Sequence, residues 1–252
     1  NVLPAERRAA TSVMDQADAE DVMNMVRGRF DVAKLKKRFP QKGTLYAMYS
    51  RSVNTGTPLT DVIEEEYSQF VEETQRISEV VRGYNEYKRA NGLFDYDDLL
   101  LYLLAMTKHE EIGPILRKQF RYVMVDEYQD TNKLQHNIIL GLAGTNGNVI
   151  VVGDDAQSIY AFRGANIQNI LNFEKDYPDL KTFKLEQNYR STKTIVSAAN
   201  NVIANNRNQL KKDIWTENTG GEKIRLLRAL SDNEEGAQVA QAMFEDKMNL
   251  HF

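Results

Sequence analysis

An α/β chain, with parallel strands joined by crossover helices behind a helical region, is the fold class that this sequence predicts. Three observations carry that expectation. Short apolar runs at 120–125, 148–152 and 181–185 each end in a polar cluster and read as strands. Helical patterns at 134–142 and 167–177 lie between them, and an alternation of strand and helix implies parallel strands with crossovers. Ahead of them, 18–89 is rich in charge with apolar residues at helical spacing, as in Val22, Met25, Val26 and later Phe70, Ile77, Val80, Val81, Tyr84.

Within the helical region Pro40, Gly43, Gly56 and Pro58 are punctuation, and 50–60 reads as a polar loop between helices. Glu64, Glu65 and Glu66 follow Thr60 and Asp61, an acidic run suited to the first turn of a helix and its positive dipole end. After Gly92 the acids Asp95, Asp97 and Asp98 introduce a strongly apolar stretch at 96–106, the start of a buried helix. Functional loops belong at the carboxyl ends of parallel strands, which is where the unusual polar residues fall. A further helix runs from Ser191 to about 206, capped by Ser191 or Thr192. A loop with Trp215, Gly220 and Gly221, a strand at 223–230 and a helix at about 233–248 then read as the opening of a second α/β unit.

Composition narrows the function. The 252 residues are 42% hydrophobic and 27% charged, enough for one large or two modest domains with a sizeable core. No stretch approaches the roughly 20 uncharged apolar residues of a membrane helix, and 1–8 has no secretory apolar run, so the expectation is a soluble, cytoplasmic protein with no membrane partner. The absence of cysteine excludes disulfides, thiolate metal sites and cysteine nucleophiles. With a net charge of −4, any nucleic-acid contact must be local rather than global. The cluster Lys34, Lys36, Lys37, Arg38 suits a solvated helix face better than it suits duplex phosphates. His109, His136 and His251 lack metal-ligand spacing and read as ordinary residues.

Three constellations carry chemistry. The first is the apolar strand Tyr122-Val123-Met124-Val125 opening into Asp126-Glu127-Tyr128-Gln129-Asp130. A first acid that holds Mg²⁺ and a second that polarises water is the arrangement of phosphoryl-transfer ATPases, though a solvated acidic turn ends a strand equally well. The second is the strand at 149–152 opening into Gly153-Asp154-Asp155-Ala156-Gln157 and on to Tyr160, Phe162 and Arg163. Gln157 suits a terminal phosphate or its water. Tyr160 and Phe162 suit either stacking on nucleobases or the core, and Arg163 suits an ion pair. The third, Glu186-Gln187-Asn188-Tyr189-Arg190-Ser191-Thr192, places Arg190 where a finger on a transferred phosphoryl would stand, or where it pairs with Glu186 or Glu217. Tyr189 suits an adenine ring.

Taken together these segments resemble a known family. Asp126-Glu127-Tyr128-Gln129-Asp130-Thr131-Asn132 resembles motif II of the UvrD/Rep/PcrA-like superfamily 1 DNA helicases, 153–165 resembles motif III, and 185–192 resembles motif IV, in matching order and spacing. Residues 92–99 look like the segment that re-enters the first RecA-like domain, and 214–218 is also similar to the family, so the likeness spans about 10–245. The resemblance implies an incomplete RecA-like P-loop NTPase sheet with a helical insertion subdomain and the start of a second RecA-like domain. The expected boundaries are 1–17 for the end of a first RecA-like segment, 18–90 for the insertion, 91–186 for the first RecA-like domain and 187–252 for the second. It further implies ATP and Mg²⁺ as cofactors and single-stranded DNA and duplex junctions as partners. Asp126 would bind the metal, Glu127 would activate water, Gln157 and Arg190 would sense the terminal phosphate, and Tyr189 would stack on adenine. Tyr160 and Phe162 would hold bases, with Arg163 between the two sites. Ala156 and Phe162 depart from the common pattern, which has an acid and a tryptophan there, so stacking is expected to be weaker.

No Gly-x-x-x-x-Gly-Lys-Ser/Thr occurs in the 252 residues, and Lys42-Gly43-Thr44 has the lysine on the wrong side of the glycine. The expectation is an internal piece of an ATP-dependent helicase that moves 3′ to 5′ on single-stranded DNA, inactive by itself and prone to non-native dimerisation through unpaired sheet edges. Two alternatives stand beside it. One is a non-catalytic DNA- or protein-binding module; the other is a metal-dependent phosphohydrolase or nuclease using Asp126, Glu127, Asp154 and Asp155.

Overall fold

The computed structural model describes residues 11–30, 39–144, 147–158, 164–207 and 209–249. They form a mixed α/β structure that divides into two compact units, Asn1–Lys181 and Thr182–Phe252.

In the first unit, helices α1 (Gln16–Arg27), α2 (Lys42–Thr55), α3 (Leu59–Glu66) and α4 (Thr74–Asn91) enclose one core. Helix α4 shows why. Ile77, Val80, Val81, Tyr84 and Lys88 recur at helical spacing and are all buried, against Met23, Val26, Met48 and Tyr49 among others. Burying each such apolar side chain contributes about 1.5–3 kcal/mol. Asp15 caps α1 by accepting from Asp18 N at 2.9 Å.

Lys88 ends the buried stripe of α4 with a charge, and the chain answers it. Its Nζ donates to Asp95 Oδ2 at 2.6 Å, Asp98 Oδ2 at 2.7 Å and the Tyr49 hydroxyl at 3.1 Å, while the Tyr84 hydroxyl donates to Asp95 Oδ2 at 2.7 Å. Burial raises the pKa of Asp98, against the pull of Lys88. Asp95 and Asp98 also form the capping box of α5 (Tyr96–Lys108), so one ion cluster fixes both the end of α4 and the start of α5. Between them β2 (Leu93–Phe94) pairs in parallel with β1 (Ser12–Val13), a short contact that the sequence pattern did not reveal.

Beyond α5 and α6 (Ile112–Gln119) lies the second core. Strands β3 (Tyr122–Val125) and β4 (Asn148–Val151) pair in parallel, Val123 against Val149 and Val125 against Val151. One face of this pair packs on Tyr128, Ile139 and Phe173 beneath α7 (Lys133–Ala143), α8 (Gln168–Leu171) and α9 (Phe173–Asp176). The other face leaves Tyr122, Met124 and Ile150 exposed, as the alternation of a strand requires when one side is uncovered.

Several expectations are corrected. Residues 50–55 belong to α2, because Asn54 and Thr55 return their polar groups to the carbonyls of Ser50 and Arg51, and the helix stops only at Gly56, whose φ of 68° suits a residue without Cβ. Glu64, Glu65 and Glu66 stand at the end of α3, not in its first turn, and Glu66 pairs with Arg51 at 2.7 Å. Helix α5 is not buried on all sides: it packs on α6 and α7, while Tyr96, Leu99, Leu101 and Tyr102 are exposed. The single helix expected at 167–177 is broken at Asn172 into α8 and α9. Residues 181–185 and 223–230 are not strands, since a strand needs a ladder partner and the described residues supply none; Phe183 is 81% and Leu185 84% exposed.

His136 is a largely buried residue with two polar neighbours. Its Nδ1 lies 2.6 Å from the buried Tyr128 hydroxyl and its Nε2 3.5 Å from Asp176 Oδ2. Burial holds its pKa below the usual histidine range, with Asp176 opposing.

Two outcomes follow. Lys88→Met leaves two carboxylates buried without their cation and should lower stability by about 3–5 kcal/mol in urea unfolding, whereas a loss below about 1 kcal/mol would show that the cluster does not hold the fold. For His136, a folded-state pKa below the unfolded one means that the unfolded chain takes up the proton first as pH falls. Its contribution is therefore present above pH 6.5 and lost as pH drops from there toward the folded-state value. The stability difference between the wild type and His136→Gln, followed by melts from pH 8 to pH 5, should change within that window; a constant difference would exclude the linkage.

Candidate functional site

Strands β3 and β4 are parallel and in register, so their carboxyl ends deliver two loops to one rim. The ladder continues past the strands: Val152 N donates to Val125 O at 2.8 Å and Tyr128 N to Val152 O at 2.9 Å. Asp126 and Glu127 follow β3 directly, and Asp154 and Gln157 follow β4.

Gln129 fastens the two loops. Its Nε2 donates to Glu127 Oε2 at 2.7 Å, and its Oε1 accepts from Asp154 N at 3.0 Å. The residue is 1% exposed, so this amide is a buried crosslink rather than a surface contact. Gly153 makes room for it. A Cβ there would stand 2.6 Å from Gln129 Oε1 and 2.9 Å from Ile170 Cδ1, closer than packed atoms tolerate.

Asp126 and Glu127 are exposed at the rim. Asp126 Oδ1 accepts from Glu127 N at 3.0 Å. Glu127 has φ of 50°, the sole positive value on a non-glycine residue among the described residues. Such a conformation costs on the order of 1–3 kcal/mol and persists only where surrounding bonds hold it, here the Gln129 amide. On β4's side, Asp154 caps a single helical turn, Asp155–Gln157, by accepting from Ala156 N at 3.1 Å, and it also accepts from Gln157 Nε2 at 2.8 Å.

This donor set fits a hard cation. No group of three or more acids and histidines able to hold a metal occurs among the described residues. Magnesium does not need one, because it keeps several waters and takes one or two carboxylates together with phosphate oxygens. Asp126, exposed at the rim, offers a carboxylate of the type such a site uses, and Glu127 follows it in the chain.

The first unit also holds a cleft of about 370 Å³, lined in part by Tyr46, Arg51, Tyr67, Tyr96, Asp97 and Gly164. Three phenol rings give the cleft aromatic and hydrogen-bonding walls, while Arg51 is held by Glu66, which lines the cleft as well. Of this set Gly164 falls in the segment at 153–165, and Tyr96 and Asp97 fall in the segment at 92–99, both singled out by the resemblance. Tyr96 had a signal, an aromatic between two acids at a helix start; Tyr46 and Tyr67 had none, being indistinguishable from core positions. Tyr160, Phe162 and Arg163 lie outside the described residues, as do Lys34, Lys36, Lys37 and Arg38.

In the second unit, Arg190 and Tyr189 are exposed just before α10 (Lys193–Ile203). The turn that carries them is built by Asn188, whose Oδ1 accepts from Arg190 N at 3.0 Å and Ser191 N at 2.7 Å. A strap at 215–220 clamps it from the side: Asn188 N donates to Trp215 O at 2.7 Å, and Asn218 Nδ2 donates to the carbonyls of Tyr189 at 3.3 Å and Ser191 at 3.0 Å. Arg190 makes no ion pair with Glu186 or Glu217 among the described residues, so the alternative of a structural pair falls away. Helix α11 (Asp232–Asn249) completes the unit, with Val239, Met243 and Phe244 exposed.

Comparison with known proteins supplies the context. The family model described as the UvrD/REP helicase N-terminal domain matches residues 4–178, and the UvrD-like helicase C-terminal domain matches 183–251. An ATP-dependent DNA helicase PcrA from Staphylococcus aureus strain Mu50 is 45% identical over 177 residues, covering 70% of this chain and 24% of the relative. Another PcrA, from Staphylococcus epidermidis strain RP62A, is 37% identical over 235 residues, covering 93% of this chain and 31% of the relative. The chain thus spans about a quarter to a third of the length of these relatives.

Proposed function

The chain belongs to the UvrD/Rep helicase family, and on that footing we propose that it forms part of the motor of an ATP-dependent DNA helicase that translocates 3′ to 5′ on single-stranded DNA and opens duplex junctions. The observation that carries this reading is the shared rim of β3 and β4, where Gln129 holds Glu127 and Asp154 together. In the proposal, 1–17 and 91–186 contribute to a first RecA-like domain, 18–90 is its helical insertion, and 187–252 opens a second.

Mg²⁺, when bound with ATP, neutralises charge on the transferred phosphoryl. Asp126 offers it a carboxylate, directly or through water. Glu127, strained into its left-handed conformation, presents a base to the attacking water; Gln157 orients that water or the terminal phosphate oxygens. Arg190, whose backbone N–H is held by Asn188 and whose guanidinium has no ion pair among the described residues, is the finger that would meet developing negative charge on the transferred phosphoryl. Tyr189, exposed beside Arg190, would offer its ring to adenine. These 252 residues hold no match to the phosphate-binding loop pattern. The bases of single-stranded DNA stack on Tyr160 and Phe162 and enter the tyrosine-lined cleft beside Gly164, each stacked base contributing about 1–3 kcal/mol.

In the full-length protein Glu127→Gln should lower single-strand-dependent ATP hydrolysis by about 10²–10⁴-fold while retaining nucleotide binding. Hydrolysis at the wild-type rate in that variant would overturn the role given to Glu127, whereas a full-length wild-type protein that hydrolyses no ATP would leave a non-catalytic DNA- or protein-binding module as the reading.

A further inference from the structure

A continuous buried hydrogen-bond chain joins the tyrosine-lined cleft to the helix that follows the Asp126–Glu127 loop. Asp97, at the cleft, accepts through Oδ1 from Asn54 Nδ2 at 2.7 Å. Asn54 Oδ1 in turn accepts from Asn132 Nδ2 at 2.8 Å. Asn132 then accepts from Gln135 N at 2.9 Å as the N-cap of α7, six residues after Asp126 in the sequence. All three side chains are buried, at 5%, 2% and 3% exposure for Asp97, Asn54 and Asn132. Asn54 is the only member from the helical region, and its single amide is bonded on both sides.

The directions of these bonds are fixed. Asn132 gives a proton to Asn54, and Asn54 gives one to Asp97, so neither amide can turn over without losing a buried bond. Asp97 ends the chain of bonds. Its buried Oδ2 has no hydrogen-bond partner among the described residues, and burial holds the carboxyl above the ordinary aspartate range against the pull of Ser50 and Asn54. A donor group arriving in the cleft competes for the carboxylate that Asn54 now holds, and a change there is felt at Asn132, which carries the far end of the loop bearing Glu127.

We propose that Asn54 is a positioning residue that transmits occupancy of the cleft by single-stranded DNA to the Asp126–Glu127 loop through Asn132. The proposal rests on the DNA-dependent hydrolysis argued above. It assigns coupling to a side chain that touches neither nucleotide nor DNA, and it predicts that the coupling can be cut with both sites intact.

The test uses the full-length protein and an oligo-dT strand as the activating ligand, with hydrolysis measured against strand concentration. Asn54→Ala removes the bridge. Asn132→Ser keeps a good N-cap for α7 but is too short to reach Asn54. Each should lower the DNA-stimulated plateau by roughly tenfold, with the strand-free rate and the half-saturating strand concentration held within about twofold, and the double variant should be no worse than either single one. Retained stimulation in either variant, or a raised half-saturating concentration at an unchanged plateau, would overturn the proposal. If Asn54→Ala fails to fold, Asn132→Ser decides alone by the same criteria. A wild-type protein that strands do not stimulate would instead sink the functional reading itself, together with this inference.

Discussion

The structure depends most on the parallel registration of β3 and β4, continued past their last residues by the bonds of Val152 and Tyr128. Parallel strands release their loops on the same side, so two acidic loops separated by a helix in the sequence become neighbours in space. Backbone pairing alone would leave both loops free to move. The Gln129 amide removes that freedom, because it bonds Glu127 on one side and the Asp154 backbone on the other within a buried pocket that Gly153 keeps open. Strain at Glu127 and close packing at Gly153 are two consequences of one crosslink.

The same logic appears at the other end of the first unit. A lysine at the end of an apolar stripe would be costly to bury by itself, and Asp95, Asp98 and two tyrosines compensate it. Because those aspartates also cap α5, electrostatic pairing and helix initiation cannot be separated there. The helical region is thereby tied to the α/β region twice, by this ion cluster and by the Asn54 amide, and the cleft lies among residues of both.

Much of this was legible in the sequence, and the reasons differ by element. Strands β3 and β4 and helix α7 were found because apolar runs and periodicity are local signals, and the acids after β3 and β4 because a polar cluster at a strand end stands out against its neighbours. What failed required partners. Residues 181–185 and 223–230 have strand-like composition, yet strand character is a property of a pair, and Leu185 and Leu226 are exposed where no partner is described. The serine and asparagine content of 50–55 suggested a loop; side chains that bond back to the preceding turn keep it helical. Tyr46 and Tyr67 gave no warning of a cleft, since a tyrosine at helical spacing reads the same whether it faces a core or a cavity. The contact of Tyr128 and His136 with Asp176 reaches a residue far away in the sequence, and spacing rules written for metal sites do not find it.

The claim that the two strand-end loops form one nucleotide-handling rim is tested most directly by a crystal structure of the full-length protein with Mg²⁺ and a non-hydrolysable ATP analogue. The account predicts the Asp126 carboxylate on the metal or on one of its waters, and the Gln157 amide at hydrogen-bond distance from the terminal phosphate or the water beside it. A bound metal and terminal phosphate that touch neither loop would contradict it.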